Sequence, residues 1–535
     1  MCQCGHALAG GAMRYFRTMR APLLLVGLLP CIVLGQPGPS AAHVFNMDPS
    51  QFAAHYAKRL TLDAAGNVVI FGEKDAGIPY DSRIFYMRAL PTATADSSFD
   101  GEGFVEHNIC TQWETAVDVL GLPDGKLMGL GLEDYPDYDD DGIYVQRLNV
   151  DGSPDTSFWA NGKFIFQLNG SPTFPRAFAM QPDGGVVILG QAFGSDYEAF
   201  MIRLAPNGDF DTAFGVNGGA YIGMVNGEFD DPADLCVLPD GSLMVVGAWR
   251  PTPNAYKGLY VQHVLADGSL DPAYGNGGIT QLHDPTKFQE ASRIKAASDG
   301  SVYVLSDRIS MPGSVHQVVV QHFLPDGTYD TGFGTNGIAA IPIPGLPSNM
   351  RPAGLAVLPN DLVAVNGKVD QAGLVLLLPN GQPAVGFGTN GVLYDPDFIY
   401  DQYPNLDIAR DAEGNVWVLT HRIMGTGYFN TAYKVIIDLS VGTLDAPTGS
   451  AEPLLLGTVI TDDRIELSWN MNASGPLSVD LLGTDGRVLR ALWSGTLNAG
   501  AHRQEWSLPE GLVQGAYLLR FTTQRGATAV RFLKR

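Results

Sequence analysis

Cysteine is scarce in this sequence, five in 535 residues, and Cys2, Cys4 and Cys31 precede residue 36. The remaining pair, Cys110 and Cys236, is too little for a disulfide framework or a cysteine zinc site, and both read as buried free thiols. Helical apolar periodicity is missing after residue 35. Long apolar runs are missing too: the longest, Ala21 to Leu34, is about 14 residues against the roughly 20 that span a bilayer. Basic residues are few, Lys+Arg 33 against Asp+Glu 56, for a net charge of −23. Nucleic acid and anionic lipid are excluded as partners, because phosphate binding rests on clustered Lys and Arg. Catalytic signatures are also absent: no Gly-x-Ser-x-Gly elbow, no His-Glu-x-x-His, no phosphate loop and no dinucleotide fingerprint.

What is present is turn chemistry. Gly 64 and Pro 35 suit many short strands joined by tight turns. Residues 1–35 read as a signal peptide, with Arg14, Arg17 and Arg20 ahead of the apolar run and Gly35 after it; Met13 or Met19 offers a later start. The acid excess lies in the middle of the chain, since residues 1–35 carry no acid and residues 455–535 are slightly basic.

Two marks recur between residues 43 and 447. The first is a hairpin turn of the type Leu-Pro-Asp-Gly, at Leu122–Gly125, Gln181–Gly184, Leu238–Gly241 and Ala297–Gly300, with weaker copies at Asp63–Gly66, Leu358–Asp361 and Asp411–Gly414. Pro sets φ, Asp bonds its own backbone and Gly takes the left-handed corner. The second is Asp-Gly-x-x-Asp-x-x-Phe-Gly-x-Asn-Gly, clearest at Asp326–Gly337, whose aromatic falls at Phe99, Phe158, Phe214, Tyr274, Phe333 and Phe387. Two hairpins per period make four strands, one propeller blade. The fold expected is all-β: a seven-bladed β-propeller over 43–447, a linker at 448–454 and a small β-sandwich over 455–535. The seventh copy stops at Val441–Asp445, short of its last strand, and the extended stretch His43–Met47 is placed to supply it. An open solenoid is the alternative.

These two motifs resemble the delta-60 repeat family of bacterial surface and secreted proteins, a resemblance that implies a propeller-like fold and no particular reaction. Beyond Ala446–Pro453 the pattern changes. Asp485-Gly486-Arg487-Val488, then Gly515-Ala516-Tyr517-Leu518-Leu519-Arg520, then a basic C-terminus, resemble the type A sorting domain of the type IX secretion system. That resemblance implies recognition of residues 455–535 by sorting machinery and a secreted or cell-surface location. An ordinary sandwich is the alternative, and the family's usual Asn-Pro is replaced by Pro453-Leu454.

Both tight turns of a blade fall on one face, so the longer links share the other, where Glu133, Asp134, Asp137, Asp139, Asp140 and Asp141, then Asp230 and Asp231, and later Asp395, Asp397 and Asp401 gather. Asp137, Asp139 and Asp141 followed by Gly142 match the first half of a calcium loop, but Leu148 stands where the bidentate Glu belongs; a solvated acidic hairpin tip is the other reading. Ca2+ is the one cofactor these residues suggest. Seven residues before each turn glycine stand Arg59, Asp118, Ala177, Asp234, Arg293, Gly354 and Asp407, on the strand nearest the axis. Asp407 with Arg59, Arg59 with Asp118, and Asp234 with Arg293 are the expected inter-blade ion pairs, with a charged channel mouth as the functional alternative. His263 and His322 hold equivalent positions and read as packing residues. The function expected is an exported, non-enzymatic scaffold presenting the loop face to a glycan, protein or cation; the alternative is a polysaccharide-active enzyme using carboxylates on that face.

Overall fold

The structure is a computed structural model describing residues 41–46, 55–75, 82–109, 113–134, 141–159, 161–167, 171–193, 197–222, 230–252, 254–311, 315–341, 351–368, 372–384, 387–388, 391–394, 407–424, 427–435, 437, 454–460, 464–471, 474–483, 488–509, 515–523 and 526–534. Cys110 and the expected signal peptide lie outside these residues.

Seven four-stranded antiparallel sheets occupy the chain between Ala41 and Val435. The first runs His55–Leu62, Val68–Asp75, Ser82–Ala89 and Phe104–His107, each strand pairing with the next. In six of the seven the first connection is the glycine turn foreseen above, with Gly66, Gly125, Gly184, Gly241, Gly300 and Gly414 at positive φ. The sixth sheet lacks that glycine. It turns instead through a short 3-10 segment, Pro359–Asp361, with Asn360 and Asp361 in the left-handed region, which Asn and Asp tolerate better than other residues.

The seventh sheet contains Asp407–Arg410, Val416–Met424 and Gly427–Val435, and its fourth strand is Ala41–Asn46, antiparallel to Gly427–Val435 with Val44 opposite Tyr433. The borrowed strand therefore begins two residues earlier than the sequence suggested and ends one earlier. The seam is also closed by packing. Trp417, Leu419 and Ala432 of the seventh sheet share a buried cluster with Ala57, Leu60, Val68 and Ile70 of the first. Every other neighbouring pair of sheets shares such a cluster. The ring is thus closed, as expected of a β-propeller and unlike a solenoid.

The second motif is a joint between sheets. The aromatic after Asp-x-x reaches the Asp-Gly turn of the next sheet, at a glycine with positive φ where an added Cβ would crowd the ring. A Cβ at Gly152 would sit 3.2 Å from the Phe99 ring, and one at Gly208 would sit 3.0 Å from the Phe158 ring. The residue after the aromatic donates its N–H to the same turn: Asp100 to the Asp151 carbonyl at 2.9 Å, Trp159 to Asn207 at 2.9 Å, and Gly275 to Asp326 at 2.9 Å.

A third element of the repeat escaped the sequence reading: a base eight residues before the motif's second Asp. Arg88 donates to Asp96 at 2.8 Å and to the carbonyl of Val150 in the next sheet at 2.7 Å, with its guanidinium 4.7 Å above the Phe99 ring. Arg147 with Asp155 and Arg203 with Asp211 repeat the ion pair. His263 and His322 stand in for the arginine in the fourth and fifth sheets, bonded through Nδ1 to Asp271 at 2.9 Å and Asp330 at 3.0 Å, and through Nε2 to Ser242 and Ser301, both at 2.8 Å. These Asp-His-Ser chains have triad order but no nucleophile. Both serines are buried, and each hydroxyl donates at 2.6 Å to a turn carboxylate, Asp240 or Asp299.

The C-terminal residues form a three-stranded sheet, Leu454–Ile460, Arg464–Met471 and Gly500–Ser507, and a four-stranded one ordered Val488–Leu497, Gly475–Gly483, Gly515–Thr523, Gly526–Lys534. Ile465 of the first packs with Leu477, Val479, Leu481, Leu519 and Phe521 of the second, which makes this a sandwich. Cys236 is a free thiol, half-buried rather than fully buried, and burial pushes it up to about 12.

Phe158 is buried at the joint between the second and third sheets, whereas its neighbour Trp159 is exposed. Phe158→Ala is expected to cost about 3–5 kcal/mol in denaturant unfolding, and Trp159→Ala less than about 1 kcal/mol.

Candidate functional site: the axial mouth

Six of the seven innermost strands share one irregularity. Pairing with the second strand slips by a residue between Ala57 and Arg59, Ala116 and Asp118, Pro175 and Ala177, Pro232 and Asp234, Ala291 and Arg293, and Pro352 and Gly354. A bulge disrupts the ladder locally and re-aims the side chains beside it. The residue after each bulge is the position singled out from the sequence; in the seventh sheet the described strand starts at that position, Asp407.

An aspartate here serves the backbone. Asp234 accepts the N–H of Leu235 at 2.9 Å and, across the joint, the N–H of Ile294 in the fifth sheet at 2.9 Å. Asp407 does the same with Ile408 at 3.0 Å and with Leu60 of the first sheet at 3.1 Å, across the seam. The expected pairs of Asp407 with Arg59 and of Asp234 with Arg293 are corrected accordingly. Each carboxylate goes to the amide next to the arginine, because a buried N–H beside a disrupted ladder needs an acceptor. Asp234 also lies 3.7 Å from the Lys295 ammonium.

Arg59 and Asp118 do meet, Nε to Oδ1 at 3.7 Å. Among the described residues Asp118 otherwise accepts the Val119 N–H, at 3.0 Å. Burial pushes its carboxyl up to about 6, against the pull of Arg59. Both arginines donate to the carbonyl of the bulge residue before them, Arg59 to Lys58 at 3.3 Å and Arg293 to Ser292 at 2.8 Å.

On the loop side this belt opens into a cavity of about 410 Å³ lined by Lys58, Arg59, Arg176, Asp231, Glu290 and small residues of the first five sheets. Its charges are mostly paired: Lys58 with Glu73 at 3.0 Å, Arg176 with Asp231 at 3.2 Å, and Lys257 with Asp231 at 2.7 Å and Glu290 at 3.4 Å. Lys58 and Arg176 are themselves bulge residues, eight before the turn glycine. Extending the sequence alignment by one position would have shown them.

A larger cavity, about 820 Å³, opens among the Leu-Pro-Asp-Gly turns, walled by Pro123, Pro182, Pro239 and Pro359 with Arg410 at its rim.

The acidic loop face is only partly visible. Asp137, Asp139, Asp140, Asp395, Asp397 and Asp401 lie outside the described residues, and Asp134 is described only as the end of its strand. Glu133, Asp141 and Asp230 are buried rather than solvated, and Asp231 is held by Arg176 and Lys257. The calcium half-loop is described at Asp141 alone, whose carbonyl accepts the Thr173 N–H at 3.1 Å. Among the described residues no three His, Cys, Asp or Glu side chains are grouped to hold a metal.

Residues 122–158 and 181–214 match the family described as a domain of unknown function (DUF5122) beta-propeller. The chain is a β-propeller repeat protein. Similar solved structures include a protein of unknown function from Dyadobacter fermentans (12% identity, 74% of this chain and 98% of that one, TM-score 0.38) and the polysaccharide lyase Uly1 (9%, 70% and 88%, TM-score 0.42). The endo-arabinase from Bacteroides thetaiotaomicron is another such structure (12%, 57% and 96%, TM-score 0.25). No curated protein matches.

Asp118 generates a pH prediction. Its folded pKa of about 6 exceeds the ordinary 3.8, so its ionisation opposes folding: the penalty is absent below pH 4, grows up to about pH 6 and is constant above. Asp118→Asn is therefore expected to gain stability over the parent by on the order of 2 kcal/mol between pH 4 and pH 7. Denaturant unfolding of both proteins at pH 4, 5.5 and 7 measures it, and parallel curves would contradict it.

Proposed function

We propose that this propeller is an exported, non-enzymatic binding scaffold of the delta-60 repeat kind, presenting its loop face to a glycan, a protein or a cation. The observation carrying this reading is the use to which the repeated charges are put. Arg88 with Asp96, Arg147 with Asp155 and Arg203 with Asp211 brace the third strands, while Asp234 and Asp407 tie sheet to sheet. The repeat makes a rigid ring, and the links that vary between copies share one end of it, the arrangement scaffolded binding loops use.

Export is the second part of the proposal. The C-terminal sandwich, with its strand Gly515–Thr523 paired to the basic last strand Gly526–Lys534, supports the reading of residues 455–535 as a type IX sorting signal. Fused to a reporter in a bacterium with that secretion machinery, residues 455–535 are expected to send the reporter to the surface or medium. Retention in the periplasm would refute the assignment.

Polysaccharide cleavage is the rival reading, favoured by one feature: burial pushes the Asp118 carboxyl up to about 6, as an acid catalyst needs, beside Arg59 of the 410 Å³ cavity. A screen of the full chain against polysaccharides, scoring retention and chain length together, separates the two. The scaffold reading expects a retained polymer of unchanged length; shortened products, abolished by Asp118→Asn, would replace it.

A further inference from the structure

The joint between the second and third sheets departs from the repeat at three neighbouring places. The first is the residue after the motif's aromatic. Gly215, Gly275, Gly334 and Gly388 hold that position at φ 55°, 52°, 55° and 53°, and Asp100 holds it at 50°. In the second sheet it is Trp159, at φ 42°. Glycine takes this conformation freely, whereas a bulky side chain takes it only under strain. The turn does not demand the indole, because four other copies are built with glycine, and the ring stays 42% exposed.

The second departure supports the first. Phe164, fully buried, meets the indole edge to face, with ring centroids 5.3 Å apart and planes at 80°. The same place in the other outer strands holds Val105, Ala220, Thr280, Ala339 and Leu393. The third stands beside the indole. Trp159 donates its N–H to the Asn207 carbonyl at 2.9 Å, and a Cβ on Gly208 would lie 3.1 Å from the Trp159 Cβ. In the second, fourth and fifth sheets this turn is Asp-Gly-Ser or Asp-Gly-Thr. There the hydroxyls of Ser153, Ser269 and Thr328 close on the turn carboxylate at 2.6, 2.6 and 2.7 Å. In the third sheet it is Asn207-Gly208-Asp209, with both polar residues exposed. Asn207 Nδ2 donates to Asp209 Oδ2 at 2.7 Å, and Asn207 Oδ1 accepts the Asp209 N–H at 3.2 Å. An amide has two N–H donors and a carboxylate two oxygens, so one Nδ2 hydrogen and Oδ1 of Asp209 remain uncommitted among the described residues.

A rigid apolar ring beside one donor and one acceptor suits a sugar. The C–H face of a glucopyranose lies on the indole, one hydroxyl donates to the Asp209 carboxylate, and a neighbouring hydroxyl accepts from the Asn207 amide. The carboxylate disfavours an acidic sugar. A protein partner would have to bury Asp209 beside the tryptophan, and the centres of protein interfaces are depleted of Asp.

We propose that Trp159, Asn207 and Asp209 form a binding subsite for a neutral β-linked glucan, with Trp159 as the stacking platform. Pro206, next to Asn207, would lie 3.4 Å from a Cβ on Gly184 of the first turn, which places the subsite at the turn end of the joint. It stands or falls apart from what the loop face binds.

Calorimetric titration of the full chain with cellohexaose, and with sorbitol, which carries hydroxyls without a ring, tests it. Cellohexaose is expected to bind and sorbitol is not. Trp159→Gly is expected to weaken cellohexaose at least tenfold, with a denaturant midpoint no lower than the parent's, because glycine relieves the left-handed strain. Trp159→Phe keeps a flat ring and is expected to lose less affinity than Trp159→Gly. Asp209→Ser, which restores the residue of the other copies, is expected to weaken cellohexaose severalfold. No heat with cellohexaose, or equal binding of sorbitol, would overturn the proposal. Self-association of the chain that Trp159→Gly abolishes, with cellohexaose silent, would make the patch a protein contact and overturn it too. Cellohexaose bound equally by the parent and Trp159→Gly would overturn this site while leaving glycan binding by the loop face intact.

Discussion

A ring of β-sheets tolerates no unpaired flank, and this chain meets that constraint at one seam. The seventh sheet takes its fourth strand from Ala41–Asn46, at the other end of the propeller sequence. Beside it, Trp417 and Leu419 pack on Ala57 and Leu60, and Asp407 accepts the Leu60 N–H. Open the seam and the first and seventh sheets each expose an apolar face. Close it and every sheet has two neighbours, and the first four joints repeat one solution, an aromatic ring laid on the glycine of the next turn. A closed ring also leaves only turns, links and the axis for anything besides stability.

On the axis, the bulge in the innermost strands decides what each charged residue does. It disrupts the ladder just where the inner strand meets its neighbour, and a short, rigid aspartate beside it reaches two amides at once. A longer arginine at the equivalent position, Arg59 or Arg293, donates to the carbonyl of the bulge residue before it. One backbone feature thus makes Asp234 and Asp407 ties between sheets, while Asp118, at the same position, meets Arg59.

Much of this was legible in the sequence, for definable reasons. Asp-Gly turns announce hairpins because only glycine takes the left-handed corner cheaply, so the strand order followed from punctuation, and the truncated seventh copy pointed to the borrowed strand. The alignment on turn glycines placed Arg59, Asp118, Asp234, Arg293 and Asp407 on one belt because hairpin register is fixed by the turn. What it missed was the bulge, which has no residue signature: the extra positions are Lys58, Val117, Arg176, Ala233, Ser292 and Ala353. Without the bulge, opposite charges in adjacent sheets look like ion pairs; with it, Asp234 and Asp407 have backbone amides to serve first. The brace from Arg88 to Asp96 was missed for another reason. Its base changes from Arg to His in the fourth and fifth sheets and is Leu376 in the sixth, so no single letter recurs.

The closed seam is the claim on which the rest stands, and hydrogen–deuterium exchange of the intact chain, read by mass spectrometry of its peptides, tests it directly. The account predicts that backbone amides of residues 41–46 exchange as slowly as those of 427–435, with the two segments opening together as denaturant is raised. Exchange of 41–46 within seconds while 427–435 stays protected would contradict it.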